Sequence, residues 1–176
     1  MSETPDLKEL IEQPLLELLD GKAAHASPLA CLEDLSAGLA GRKVEGHASS
    51  IWEIVLHLNY WMAYDLKRIL GAPDPYPDHA ANSWPPLPPE ASEESWSHTV
   101  SQFAALLQEW ETLSRSDLQV LTRSANAISP RHAQQASSVL ALILQTIAHN
   151  SYHVGQIVLA RRALEAWPPR KGGDTW

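Results

Sequence analysis

The chain has 176 residues, 44% hydrophobic and 19% charged, which fits one domain with a true core over 1–176 and excludes a disordered or fibrous chain. Acids outnumber bases 21 to 13, a formal charge of −8, the wrong balance for gripping phosphates, so no nucleic-acid partner is expected. The single cysteine, Cys31, excludes a disulfide framework and any multi-cysteine metal site.

No apolar run reaches the roughly 18 to 20 residues that span a bilayer. The longest candidate, Val139 to Ala148, is interrupted by Gln145 and Thr146, so no membrane partner is expected. The opening MSETPDLKEL is acidic and polar, without a charged flank or an apolar signal region. A soluble cytoplasmic protein is the expectation, and a reduced compartment suits one unpaired thiol.

Strand signals are weak, because no long stretch alternates and the chain has one Phe. Helical periodicity dominates. Leu10, Ile11, Leu15, Leu18 and Leu19 mark a first helix over 7–19. Pro14 should kink it or mark its true start, and Gly21 is a plausible stop. A short helix over 28–39 follows, with Ser27 as cap and Pro28 in the first turn. Ser50 and Glu53 have the spacing of a capping box. They open a second long helix with Ile51, Ile54, Val55, Leu58, Met62, Leu66 and Ile69 on one face, stopped at Gly71. Seven prolines between Ala72 and Pro89 make that stretch a long loop, able to link parallel helices. A third helix starts near Ser92, where Glu93 and Glu94 suit the dipole, with a seam of Trp96, Val100, Phe103, Leu107 and Trp110. After a polar connection with Ser129 and Pro130, a fourth helix runs over about 137–166. Val139, Leu142, Thr146, His149, His153, Ile157, Ala160 and Leu164 share its inner face. Four long amphipathic helices and no strands predict an all-α four-helix bundle.

His149 and His153 are four apart on that inner face, so their rings stack one above the other and can converge on one ion. His57 shares a face with Ile54, Leu58 and Trp61 on the second helix and can also point inward. The spacing alone leaves an ordinary hydrogen-bonded core histidine equally open, and nothing in the pair identifies a third ligand.

The segments SIWEIVLHLNYW and TIAHNSYHVGQIVLARRAL resemble the DinB/YfiT family of DNA-damage-inducible proteins. AHASPLACLEDLS is similar to the family's region after its first helix, and EAWPPRKGGDTW resembles a tail of one subgroup. The resemblance implies a bundle with helices up, up, down, down and a long crossover. It implies that His57, His149 and His153 hold a divalent metal ion, zinc or nickel first, then iron or manganese. Family members of known activity resemble thiol-dependent transferases or isomerases that use low-molecular-weight thiols.

Three neutral imidazoles leave an open coordination position, where a water is acidified or a thiol loses its proton. No Glu lies between the paired histidines in HNSYH, which favours thiol chemistry or plain binding over the hydrolysis of an HExxH site. The leading expectation is therefore a metal-dependent thiol transferase acting on a small-molecule thiol and an electrophilic substrate. A metal-dependent hydrolase and a non-catalytic metal- or ligand-binding bundle are the alternatives. The resemblance and the extra aromatic residues also suggest a homodimer.

Other residues read more plainly. Gln156, three after His153, is placed to hydrogen-bond a ligand histidine, the substrate or a neighbouring helix. Gly155 suggests close helix packing. Trp52, Trp61, Trp96 and Trp110 read as core or interface, and Cys31 as an inert core residue. His25, His47, His79, His98 and His132 read as surface or capping groups. Arg161 and Arg162 complement the last helix's dipole or contact an anionic substrate.

Overall fold

The computed structural model describes residues 6–22, 24–125 and 137–170. The connection around Ser129 and Pro130, His132 and the tail from 171 lie outside the described residues. Among the described residues there is no strand, only an isolated bridge between Ser124 and Ser138, and no helix is long and apolar enough to cross a membrane.

Four long helices carry the architecture: α1 (Leu7–Leu19), α3 (Ile51–Ile69), α4 (Glu93–Ser114) and α6 (Val139–Ala163), with short α2 (Ala37–Ala40) and α5 (Leu118–Thr122) between them. Their ends follow local chemistry. Ser50 and Glu53 close a reciprocal capping box at α3, Ser92 caps α4 and Ser138 caps α6. Gly21 follows α1 with φ +76, and a Cβ there would meet His25 Nδ1 at 2.6 Å, so a side chain in that turn would be strained. Pro14 neither starts nor breaks α1. Leu10, whose carbonyl loses its donor, and Pro14 itself are both exposed, so water can satisfy that oxygen.

The expected helix over 28–39 is instead a 3-10 turn at Ala30–Leu32, then α2, capped by Ser36. Two carbonyls that would have continued the turn, those of Cys31 and Glu33, accept from the Arg161 guanidinium, each at 2.8 Å. Asp34, just after Glu33, adopts φ +60. Ser27 does not cap a helix; its hydroxyl donates to Asp20 at 2.9 Å. The last helix ends at Ala163 rather than Ala166, with Glu165 at φ +56 just beyond.

α3 packs on α4 and α6, and α1 packs on the same two from the other side. Contacts fix the directions. Trp52 and Asn59 near the start of α3 hydrogen-bond Thr99 near the start of α4, while Leu66 and Ile69 share a cavity with Gln108 and Thr112 near its end. These two helices are parallel. His57 meets His153 and Met62 meets Asn150, so α6 runs against α3. Glu12 of α1 reaches Arg115, just past the end of α4, so α1 runs against α4. The order is thus up, down, down, up, not the expected up, up, down, down. The proline-rich segment spans a parallel pair, and only the antiparallel α1 and α3 satisfy the contacts on either side.

The core joins all four helices through Leu15 and Leu19 of α1 with Trp52, Val55, Leu58, Phe103, Trp110, Leu142, Ile143 and Ile157. Trp96 is buried as well, while Trp61 is half-buried. Cys31 is fully buried, and burial pushes its thiol up to about 11.

Candidate metal centre

The antiparallel crossing of α3 and α6 brings His57, His149 and His153 together. Their ligand atoms all lie within 4.8 Å of one another, a grouping that could hold a metal ion. His149 Nε2 is the hub, 3.2 Å from His57 Nε2 and 3.1 Å from His153 Nε2. His57 and His153 are buried and His149 is half-buried, so the cluster opens on the His149 side.

Each outer ring is fixed from behind. His57 Nδ1–H donates to the Ser83 carbonyl at 2.7 Å, and His153 Nδ1–H donates to Gln156 Oε1 at 2.7 Å. Those bonds set the tautomer, leaving both Nε2 atoms as bare lone pairs aimed at the centre. One proton on His149 Nε2 can serve only one of them well. At least one contact near 3 Å therefore sets lone pair against lone pair, which the chain alone cannot satisfy. A divalent cation satisfies all three nitrogens, so the donor set fits such an ion.

Electrostatics agree. Burial, then the neighbouring histidines, pushes His149 down to about 4. Burial also pushes His153 down to about 4, against the Gln156 bond and with His57 adding to the fall. Burial lowers His57 too, opposed by the Ser83 carbonyl. All three are neutral, ligand-competent imidazoles at neutral pH.

The proline-rich segment supplies a wall. Within it a 3-10 turn, Ala80–Ser83, is closed by a reciprocal His79–Asn82 bond. It delivers the Ser83 carbonyl and then Trp84, whose ring stacks on His57 at 3.9 Å and 9° and meets His153 edge-on. No sequence signal pointed to Ser83 or Trp84, since a backbone carbonyl has no motif and the loop has no period.

A cavity of about 330 Å³ reaches His149, lined also by Trp61, Met62, Asp65, Gln145 and Thr146. Ile54, Leu58 and Leu142, the apolar residues that share helix faces with the histidines, do not line it. A larger cavity of about 520 Å³ lies at the far end of α3, around Ile69 and Leu113, away from the histidines. Gln156 makes the ligand-histidine bond and also donates to Tyr152 Oη at 3.1 Å. Gly155 does not serve close packing, because a Cβ there would meet nothing within 4 Å. His25 is not an unpartnered surface group; its Nε2 lies 2.8 Å from Ser151 Oγ on α6. Arg161 is buried rather than set at the surface for the helix dipole, so it contacts no substrate from there.

A family model described as the DinB superfamily matches residues 21–157, which takes in all three histidines, Gln156 and the proline-rich segment. No curated protein and no solved structure matches the chain.

Proposed function

The chain belongs to the DinB superfamily, and from that premise we propose that it is a metal-dependent thiol transferase whose ion is held by His57, His149 and His153. The observation that carries this is the convergence of three neutral imidazoles beside a cavity that opens at one of them. The ring of four long helices is then the superfamily's four-helix bundle. The three-nitrogen set suits zinc or nickel first, with iron or manganese after them.

A divalent ion bound there supplies an open position at which a small thiol is acidified. The chain's own residues do the rest. Ser83 and Gln156 hold the outer rings in one tautomer and one orientation. Trp84 closes the site on the His57 side, and Trp61 and Met62 make the near wall of the cavity apolar, which limits competing water. The thiol must come from outside, because Cys31 is fully buried with its thiol pushed up to about 11.

The experiment is turnover of the metal-loaded protein with a panel of small thiols against a halogenated aromatic and an unsaturated diacid, with His153→Ala as control. Thiol addition that needs the intact triad supports the proposal. Thiol reactions equal with and without the triad, alongside an ester hydrolysed only with it, would instead show a hydrolase. No turnover of either kind at full metal loading would favour a binding role.

We also propose a homodimer. Residues 139–160 carry no Asp, Glu, Lys or Arg, and Leu144, Tyr152 and Leu159 are exposed there, beside the open space at Gly155. An uncharged face lets two copies of a chain carrying −8 meet without like charges in contact. Sedimentation should give a dimer for the native chain and a monomer for Tyr152→Glu; a native monomer at high concentration would reject it.

A further inference from the structure

We infer that the cavity beside His149 selects a small thiol that carries a protonated amine, with Asp65 as the group that recognises the amine. The inference rests on the metal-dependent thiol reading above and names the substrate class for that site.

The cavity is bipolar. At one end stands His149, the half-buried member of the histidine cluster, with its ion when loaded. At the other stands Asp65, the only charged residue among Trp61, Met62, Asp65, Gln145, Thr146 and His149 that line it. The wall between is made by Trp61 and Met62, with the neutral polar side chains Gln145 and Thr146. No lysine or arginine lines the space, so a carboxylate-bearing ligand would find no cationic partner and would face Asp65.

Asp65 is built as a binding group. The Arg68 guanidinium engages one carboxylate oxygen, Oδ1, at 3.2 Å, which leaves the second oxygen for a ligand. Arg68 lies beneath, its side chain 6% exposed, while the Asp65 side chain is 17% exposed. Burial raises the Asp65 carboxyl and Arg68 opposes that rise, so Arg68 helps keep the charge in place. Asp65 is two turns beyond His57 on α3, about 12 Å between their Cα levels by helix rise. That separation suits gripping the far end of a ligand whose sulfur is at the ion, rather than taking a proton there. Anionic sulfur toward the histidines and ammonium toward Asp65 is the one charge arrangement that satisfies both ends.

The ligand-binding test uses the cobalt-loaded protein, because sulfur bound to cobalt gives a near-ultraviolet absorption that needs no turnover. Cysteamine and its longer-chain homologues are titrated against their N-acetyl derivatives and against mercaptocarboxylates of matched length. At least one amine in the series should bind about tenfold or more tightly than its N-acetyl derivative, as a charge-assisted hydrogen bond implies, with the mercaptocarboxylates weakest. Asp65→Asn should erase the preference at unchanged cobalt content, and Gln145→Lys should turn it toward mercaptocarboxylates. If Asp65→Asn does not fold, the native protein's ranking and Gln145→Lys decide. Equal binding of amines and N-acetyl derivatives, or a preference that survives Asp65→Asn, overturns this inference alone. The absence of sulfur-to-cobalt absorption with every thiol overturns the thiol reading as well.

Discussion

Two buried polar clusters lie on α6, centred on His149 and Arg161, twelve residues apart. Around Arg161, 2% exposed, the chain answers the charge itself. Nη1 donates to the carbonyls of Cys31 and Glu33, and Nε donates to Ala166, all at 2.8 Å. Trp167 lies 5.7 Å from the guanidinium. Among the described residues no buried Arg161 nitrogen is left without a partner. Around His149 the chain does the reverse. It locks two rings from behind and points three nitrogens at one another with at most one proton among them to reconcile two contacts. Both clusters cost desolvation, but only the first is complete without a guest. The comparison separates a buried polar group that holds the fold from one that waits for a ligand.

The widest break between the two comes from truncating each centre. His149→Ala removes the hub nitrogen, so metal content should fall to near background. The loss of affinity should exceed the roughly 10- to 100-fold typical of losing an outer partner, while the helical circular dichroism stays. Elemental analysis of the purified variant checks this, and retention of a full equivalent of metal would refute the ligand assignment. Arg161→Met should do the opposite. It strands carbonyls of Cys31, Glu33 and Ala166, each worth about 1 to 3 kcal/mol when buried unpaired. Denaturant unfolding should show a clear loss of stability, with metal per folded chain unchanged.

Much of the histidine cluster was legible beforehand. Capping is local, so Ser50 with Glu53 and Ser92 announced the starts of α3 and α4, and helical period put His149 and His153 on one inner face. His57 stood on an apolar stripe whose burial followed from Ile54 and Leu58. What the sequence could not carry depends on long-range meeting. Arg161 looked like a dipole-complementing end residue, because its acceptors lie about 130 positions away. Asp65, one of 21 acidic residues, carried no sequence signal; α6 sets Gln145 and Thr146 against it. No Glu lies between the histidines of HNSYH, yet α3 delivers a carboxylate, Asp65, to the same cavity. The helix directions were misjudged because hydrophobic stripes give faces, not orientations.

Smaller effects sharpen the contrast. Gln156→Leu leaves all three ligands but frees the His153 ring and its tautomer. Metal affinity should fall about 10- to 100-fold, measured by competition with a chelating dye; an unchanged affinity would make Gln156 a mere surface partner of Tyr152.

The smallest effect is on pH. In the metal-free protein His149 and His153 are held down to about 4, below the unfolded value of about 6.5. The unfolded chain therefore binds more protons across that window. Stability should be highest above it and decline as pH falls from about 6.5 through about 4. Protons compete with the metal only where the imidazoles charge, so occupancy should persist below 6.5 rather than fail there. Thermal melts of native and His149→Ala protein across this range check it. The native curve should be the steeper, and parallel curves would remove the histidines from the pH dependence.

The most direct measurement is X-ray absorption at the zinc edge of the protein loaded with one equivalent of zinc. The account predicts a first shell of nitrogen and oxygen with the outer-shell scattering of three imidazole rings, reduced to two in His57→Ala or His153→Ala. A sulfur scatterer from the protein alone, which would have to be Cys31, or a shell without imidazole, would contradict it.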